Sequence, residues 1–321
     1  MSGTAVVELG EGRLLLDLDF RDVEGLVAAY LIPEETGYSL VETGPASCRR
    51  QLLDGIDRSG VARSEVRHVF VTHIHLDHAG GVGSLQDDLP NATFYAHSLG
   101  VPHLVDPGRL AASARRAWGP ASDRLWGPLV PVRPPRIVSL SGGERFPIRQ
   151  GELQVLATPG HARHHLAFFD TRLRALFSGD GAGVRLAHSW RARPAVPPPD
   201  LDLEQLYASV ETMRATQPRV LLYSHFGPGP EGASDLEAYH DVVEEWKDVA
   251  LSAARERAEP GFIANRLREH EEDRMRSLGI SPTPADRPSL ISGYDLAAAG
   301  FLRYFQTRGL LPGSTSGPAS D

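Results

Sequence analysis

The chain of 321 residues has one cysteine, Cys48, so no disulfide can close within it and a small disulfide-stapled scaffold is excluded. Beside Arg49 and Arg50 on an expected helix, that lone thiol reads as a packed side chain rather than a nucleophile. Basic charge is short as well. Lys and Arg number 33 against 41 Asp and Glu, a formal net charge of -8, which gives no long-range attraction for phosphate backbones or anionic lipid. Neither nucleic acid nor membrane is the expected partner; a small-molecule substrate is, with a homo-oligomer left open. No segment is apolar for long enough to cross a bilayer, and Met1-Ser2-Gly3-Thr4-Ala5 lacks a secretory pattern, so the expected location is the cytoplasm. What is present is a 41% hydrophobic content, enough for a large core in one domain or in a domain with a helical appendage.

From Val6 to Glu42, short apolar runs such as Leu14-Leu15-Leu16 and Val27 to Ile32 alternate with Gly-containing breaks and predict consecutive antiparallel strands. Leu52, Leu53 and Ile56 then recur at helical spacing before an apolar stretch from Val66 to Thr72, a β-to-α-to-β passage. The second half repeats the style, with strands near Leu153–Ala157, Leu166–Phe169, Ala175–Ser178 and Val220–Tyr223, and a helix capped by Asp200 or Asp202 before the last of them. The order predicts an α/β fold, an αββα sandwich of two mixed sheets with outer helices. Residues 1–230 form this domain, with a partly helical insertion at about 101–135 punctuated by Trp118-Gly119-Pro120 and Trp126-Gly127-Pro128. Residues 231–311 are expected to be helical and packed over the site. Ser234 and Glu237 have capping-box spacing there, and Arg268 to Arg276 reads as a solvated helix face. Residues 312–321 have the composition of a disordered tail.

The densest chemical signal is His73-Ile74-His75-Leu76-Asp77-His78, three imidazoles and a carboxylate in six residues where a buried strand should end. Such a loop is costly to desolvate unless a cation offsets the loss of water. His161 after Pro159-Gly160, Asp180 after Ser178-Gly179 and His225 in Tyr223-Ser224-His225 each end another expected strand, and side chains at several strand ends can meet at one sheet edge. Neutral imidazoles with a few carboxylates suit zinc or another borderline divalent ion.

In that motif order the chain resembles the metallo-β-lactamase superfamily, in layout from about residue 4 to 230, and within it the glyoxalase II-like branch. The resemblance implies that His73, His75 and His161 hold one metal, that Asp77, His78 and His225 hold a second, and that Asp180 bridges them. The ions would be two divalent cations, zinc foremost, with iron or manganese admissible. It implies hydrolysis of a thioester, ester or lactone by a metal-bridging hydroxide, with Asp77 passing a proton and Asp180 as the other catalytic carboxylate. One position departs from the family: the usual Asp-Thr-Gly turn is Glu42-Thr43-Gly44 here, a longer carboxylate still able to hydrogen-bond the metal loop. Persulfide dioxygenases share the HxHxDH layout with a single iron and form the alternative; a nuclease of the same superfamily needs a basic exosite that this acidic chain lacks. Asp at position 180 argues against the antibiotic-hydrolysing branches, and His75 with no appended flavodoxin domain argues against flavodiiron reductases.

Around the centre, His164 and His165 read as supporting or packing residues, and His97 and His103 as structural. His188 and Trp190, in the loop after Asp180, and Trp118 and Trp126, in the insertion, are the candidate substrate-pocket residues.

Overall fold

Every residue of the strand Ala28–Pro33 is buried, and the two-residue period of a β-strand explains how. Ala28, Tyr30 and Ile32 face a core between two sheets, while Ala29 and Leu31 face a second core under the outer helices. The same sorting operates at Leu166–Asp170, where Leu166 and Phe168 enter the inter-sheet core and Ala167 and Phe169 enter a third one on the far side. A chain rich in such doubly apolar strands can bury them only as a four-layer stack. The structure, a computed structural model, describes residues 4–186, 189–229, 231–281, 291 and 293–312.

The first sheet has seven strands in chain order: β1 (Val6–Gly10), β2 (Arg13–Asp17), β3 (Ala28–Pro33), β4 (Tyr38–Val41), β5 (Val66–Phe70), β6 (Thr93–His97) and β7 (Ile137–Leu140). It is antiparallel through β4 and parallel from β4 to β7. Parallel neighbours need crossovers. These are α1 (Arg49–Arg58), the short α2 (Leu76–Ala79), and the trio α3 (Val101–Val105), α4 (Gly108–Trp118) and α5 (Ser122–Trp126).

The second sheet contains β8 (Arg145–Ile148), β9 (Gly151–Ala157), β10 (Leu166–Asp170), β11 (Ala175–Gly179), β12 (Val220–Tyr223) and β13 (Gly227–Gly229), in reverse spatial order. Its one parallel pair, β11 with β12, is joined through α6 (Leu203–Ala215), which starts where the Asp202 carboxylate accepts the Gln205 N–H at 3.0 Å. Three further helices, α7 (Ala233–Glu256), α8 (Pro260–Ser277) and α9 (Tyr294–Thr307), cover the outer face of this sheet and bury Trp246, Phe301 and Phe305. Among the described residues no helix is long and apolar enough to cross a membrane.

Two local readings are corrected. Ser234 and Glu237 do not cap a helix, because Gly232 at φ +57 turns the chain so that α7 already starts at Ala233, and Asp235 instead accepts the Glu231 N–H at 3.0 Å. The run Arg268–Arg276 is not wholly a solvated face. Glu271 is 1% exposed, accepts the Trp246 indole N–H at 2.7 Å and pairs with Arg191, a counter-charge from another segment that helical spacing cannot show. Residues 313–321, most of the expected tail, lie outside the described residues.

Candidate metal centre

The ends of β4, β5, β9, β11 and β12 open on one edge of the sandwich, and each is followed by polar side chains that belong to one cluster. Glu42 follows β4, and Thr72 to His78 follow β5. His161 lies beyond β9, Asp180 directly after β11 and His225 beyond β12. Parallel pairing of β4 with β5 and of β11 with β12 points these ends the same way, the usual place for a site in a sheet with parallel strands.

The cluster divides into two triads. His73 Nε2, His75 Nδ1 and His161 Nε2 are mutually 2.9 to 3.1 Å apart. Asp77, His78 and His225 form the other, with His78 Nε2 3.1 Å from His225 Nε2 and Asp77 Oδ2 3.6 Å from His225 Nε2. Asp180 stands between them: Oδ2 is 3.6 Å from His161 Nε2, whereas Oδ1 is 3.4 Å from His78 Nε2 and 3.6 Å from His225 Nε2.

Outward hydrogen bonds hold the rings in place. The Nδ1–H groups of His161 and His225 donate to the main-chain oxygens of Ala195 and Leu26, both at 2.7 Å, which leaves each Nε2 lone pair facing the cluster. His78 Nδ1 donates to Glu42 Oε1 at 2.9 Å. His73 Nδ1 donates to Thr72 Oγ1 at 3.0 Å, and that hydroxyl donates on to the same Glu42 oxygen at 2.6 Å, where Ser224 Oγ also donates at 2.9 Å. Glu42 is therefore the buried hub of the first sheet's side of the site. His165 has a comparable part on the other side. Its Nε2 accepts the N–H groups of Asp180 and Gly181, each at 3.2 Å, and its Nδ1 donates to Thr158 Oγ1 at 2.8 Å. Gly179 must lack a side chain, since at φ +51 a Cβ would come within 2.6 Å of His165 Nε2 and 2.7 Å of Thr72 Oγ1.

Burial lowers the basicity of His73 far below the usual imidazole range, with the neighbouring imidazoles adding to it, and brings His75 to about 3. Burial likewise lowers His161. At His78 burial opposes the charged form, but the Asp180, Glu42 and Asp77 carboxylates outweigh it and raise the group well above that range. Burial would raise Asp180; His78, His225 and His161 hold it far below the ordinary carboxylate range instead. Neutral imidazole lone pairs at about 3 Å from one another repel, and Asp180 Oδ1 is buried without a hydrogen bond. A cation relieves both, so the donor set fits metal ions.

Above the cluster is a cavity of about 230 Å³ whose floor includes His75, Asp77, His161 and Asp180. Trp118 and Trp126 of the insertion line it, packed edge to face at 5.6 Å, and Trp126 also stacks on Phe20. Trp190 does not line it; its ring lies under the Arg191 guanidinium, 4.4 Å away. His188 lies outside the described residues. Sequence reading missed the strap Pro194–Pro199 and the α9 residues Leu296 and Ala297, which complete the walls. The proline run was a visible signal for the strap; the carbonyls of Leu26 and Ala195 had none.

The chain is similar to known proteins. Thioesterase pkgB of Emericella nidulans is 28% identical over 148 residues, 46% of this chain and 31% of that protein. Hydroxyacylglutathione hydrolase of Thermosynechococcus vestitus is 30% identical over 115 residues, 36% of this chain and 34% of that protein, so the chain spans about a third of the length of these two relatives. In fold it matches the crystal structure of a metallo-beta-lactamase family protein from Thermus thermophilus, at 18% identity and a TM-score of 0.62 over 96% of this chain and 95% of that one. The model of the Metallo-beta-lactamase superfamily matches residues 22–225, well over half of the chain, and to that superfamily the chain belongs.

Proposed function

We propose that the protein hydrolyses a thioester, ester or lactone with two divalent metal ions, zinc foremost. The observation that carries this reading is Asp180, a buried carboxylate with one oxygen toward each triad and no hydrogen bond on Oδ1. His73, His75 and His161 would hold one ion, Asp77, His78 and His225 the other, and Asp180 would be shared. When bound, the ions would supply Lewis acidity toward a carbonyl oxygen and a water ionised near neutral pH. The side chains do the rest. Glu42, Thr72, Ala195 and Leu26 keep the imidazoles in the tautomer and direction that ligation needs. Asp77, which lines the cavity with its side chain 18% exposed, accepts a proton from the attacking water and returns it to the leaving group. The apolar walls keep other water away from the reacting carbonyl. The names thioesterase and hydroxyacylglutathione hydrolase among the relatives support the same reaction class.

The test combines elemental analysis with a panel of thioester, ester, lactone and phosphodiester substrates. Two zinc-like ions per chain with carbonyl hydrolysis are expected. One iron per chain with oxygen uptake would replace the reading with a persulfide dioxygenase. His75→Ala should lower turnover by more than about 100-fold and reduce metal content while the circular dichroism of the sheets is retained, and Asp180→Asn should lower occupancy of both sites. Full activity and full metal content in His75→Ala would overturn the ligand assignment.

A further inference from the structure

The cavity floor is polar and its walls are not. One wall is built by Leu110, Ala114, Trp118 and Trp126 of the insertion, the other by Val196 and Pro198 of the strap with Leu296 and Ala297 of α9. Among the described residues no Lys or Arg lines the cavity, the only acids are the floor's Asp77 and Asp180, and the only side-chain hydroxyl is that of Ser113, an exposed residue of α4. A carboxylate or phosphate seated between these walls would lose its water and find no Lys or Arg among the described wall residues. A hydrocarbon chain would lose nothing and would cover the apolar surface of both walls.

We infer that the cavity takes the acyl part of the substrate, and that this part is an uncharged hydrocarbon chain seated between the two tryptophans and α9, with the thiol or alcohol leaving group toward solvent. The assignment depends on the hydrolase reading for the fate of that chain, but not for its binding. The chemical class follows from the walls: medium-length aliphatic acyl groups are accepted and short acyl groups ending in a carboxylate are rejected.

Two measurements on the metal-loaded full chain test this. In the first, butanamide, hexanamide and octanamide are titrated while tryptophan fluorescence is recorded, since Trp118 and Trp126 line the cavity. Saturable change is expected, with affinity rising about two- to fourfold per methylene. In the second, kcat/KM is measured for butanoyl, hexanoyl, octanoyl and succinyl thioesters of N-acetylcysteamine. The value should climb with chain length, and succinyl should fall at least about 100-fold below butanoyl. Ser113→Arg, a change at an exposed position, should raise succinyl turnover at least about tenfold by placing a cation at the cavity. Amide binding without cleavage of any thioester, ester or lactone of the panel would leave the acyl site standing and remove the hydrolase reading. Thioester cleavage that ignores chain length and treats succinyl like butanoyl, with no amide binding, would overturn the acyl site and leave the hydrolase reading standing. Neither amide binding nor cleavage of any thioester, ester or lactone would overturn both.

Discussion

Among single residues, Glu42 has the widest reach. At φ +69 and 1% exposed, it gathers donors from His78, Thr72 and Ser224 on one oxygen and so couples the second triad directly, and the first through Thr72, to the first sheet. Glu42→Gln keeps the shape but removes the charge and turns one side of the group into a donor. Metal affinity measured with a competing chelator should fall about 10- to 100-fold with little loss of fold. The seven candidate ligands were legible because six residues of one loop are chemically improbable without a cation, and that density made the three distant members readable. What holds the rings was only half legible. Glu42 carries a side chain with a recognisable place in the turn, but Ala195 and Leu26 act through main-chain oxygens, which every residue has. Trp190 shows the opposite error: proximity to Asp180 in sequence suggested the pocket, whereas Arg191 draws its ring elsewhere.

Between elements, Arg191 ties the segment after Asp180 to two of the outer helices. Its guanidinium pairs with Glu245 of α7 at 2.8 Å and with Glu271 of α8, and His270 bonds Glu245 as well. Arg191→Met would leave Glu271 buried without its counter-charge, at a cost of about 3–5 kcal/mol, read as a lower midpoint in urea unfolding. The same cluster sets an acid dependence. Burial opposes charge on Glu245, but hydrogen bonds from Arg191 and His270 hold it at about 2, below its ordinary value of 4.5. Its contribution to stability is therefore present above pH 4.5 and lost as the pH falls toward 2. Arg191→Met should flatten that part of the stability curve. This cluster was invisible in the charged run of α8, since the pattern of one helix does not reveal a partner 80 residues away in the chain. The strands were far easier, because strict alternation into two cores leaves its mark on each strand separately.

For the molecule as a whole, the edge that carries the candidate metal ligands is costly without a cation, since it buries several imidazoles together. With no cation bound, His73, His75, His161, His164 and His165 have folded basicities lowered chiefly by burial, His75 and His164 to about 3. The unfolded chain protonates them near 6.5, so the folded state binds fewer protons as acid is added. In excess chelator, the thermal midpoint should drop steadily as pH falls from about 6.5 toward 3, and added zinc at about pH 7 should raise it. A chelated protein whose midpoint ignores acid over this range would contradict the buried, neutral state of these imidazoles.

Floor and walls of the cavity come from different stretches of polypeptide: strand ends below, the insertion, strap and last helix above. A lineage can therefore change which groups the cavity accepts by editing the upper parts while the polar floor is inherited intact. Ala195 is the exception. It lies in the strap among cavity-lining neighbours and its main-chain oxygen holds the ring of His161, so an edit that moves the backbone there also moves that ring.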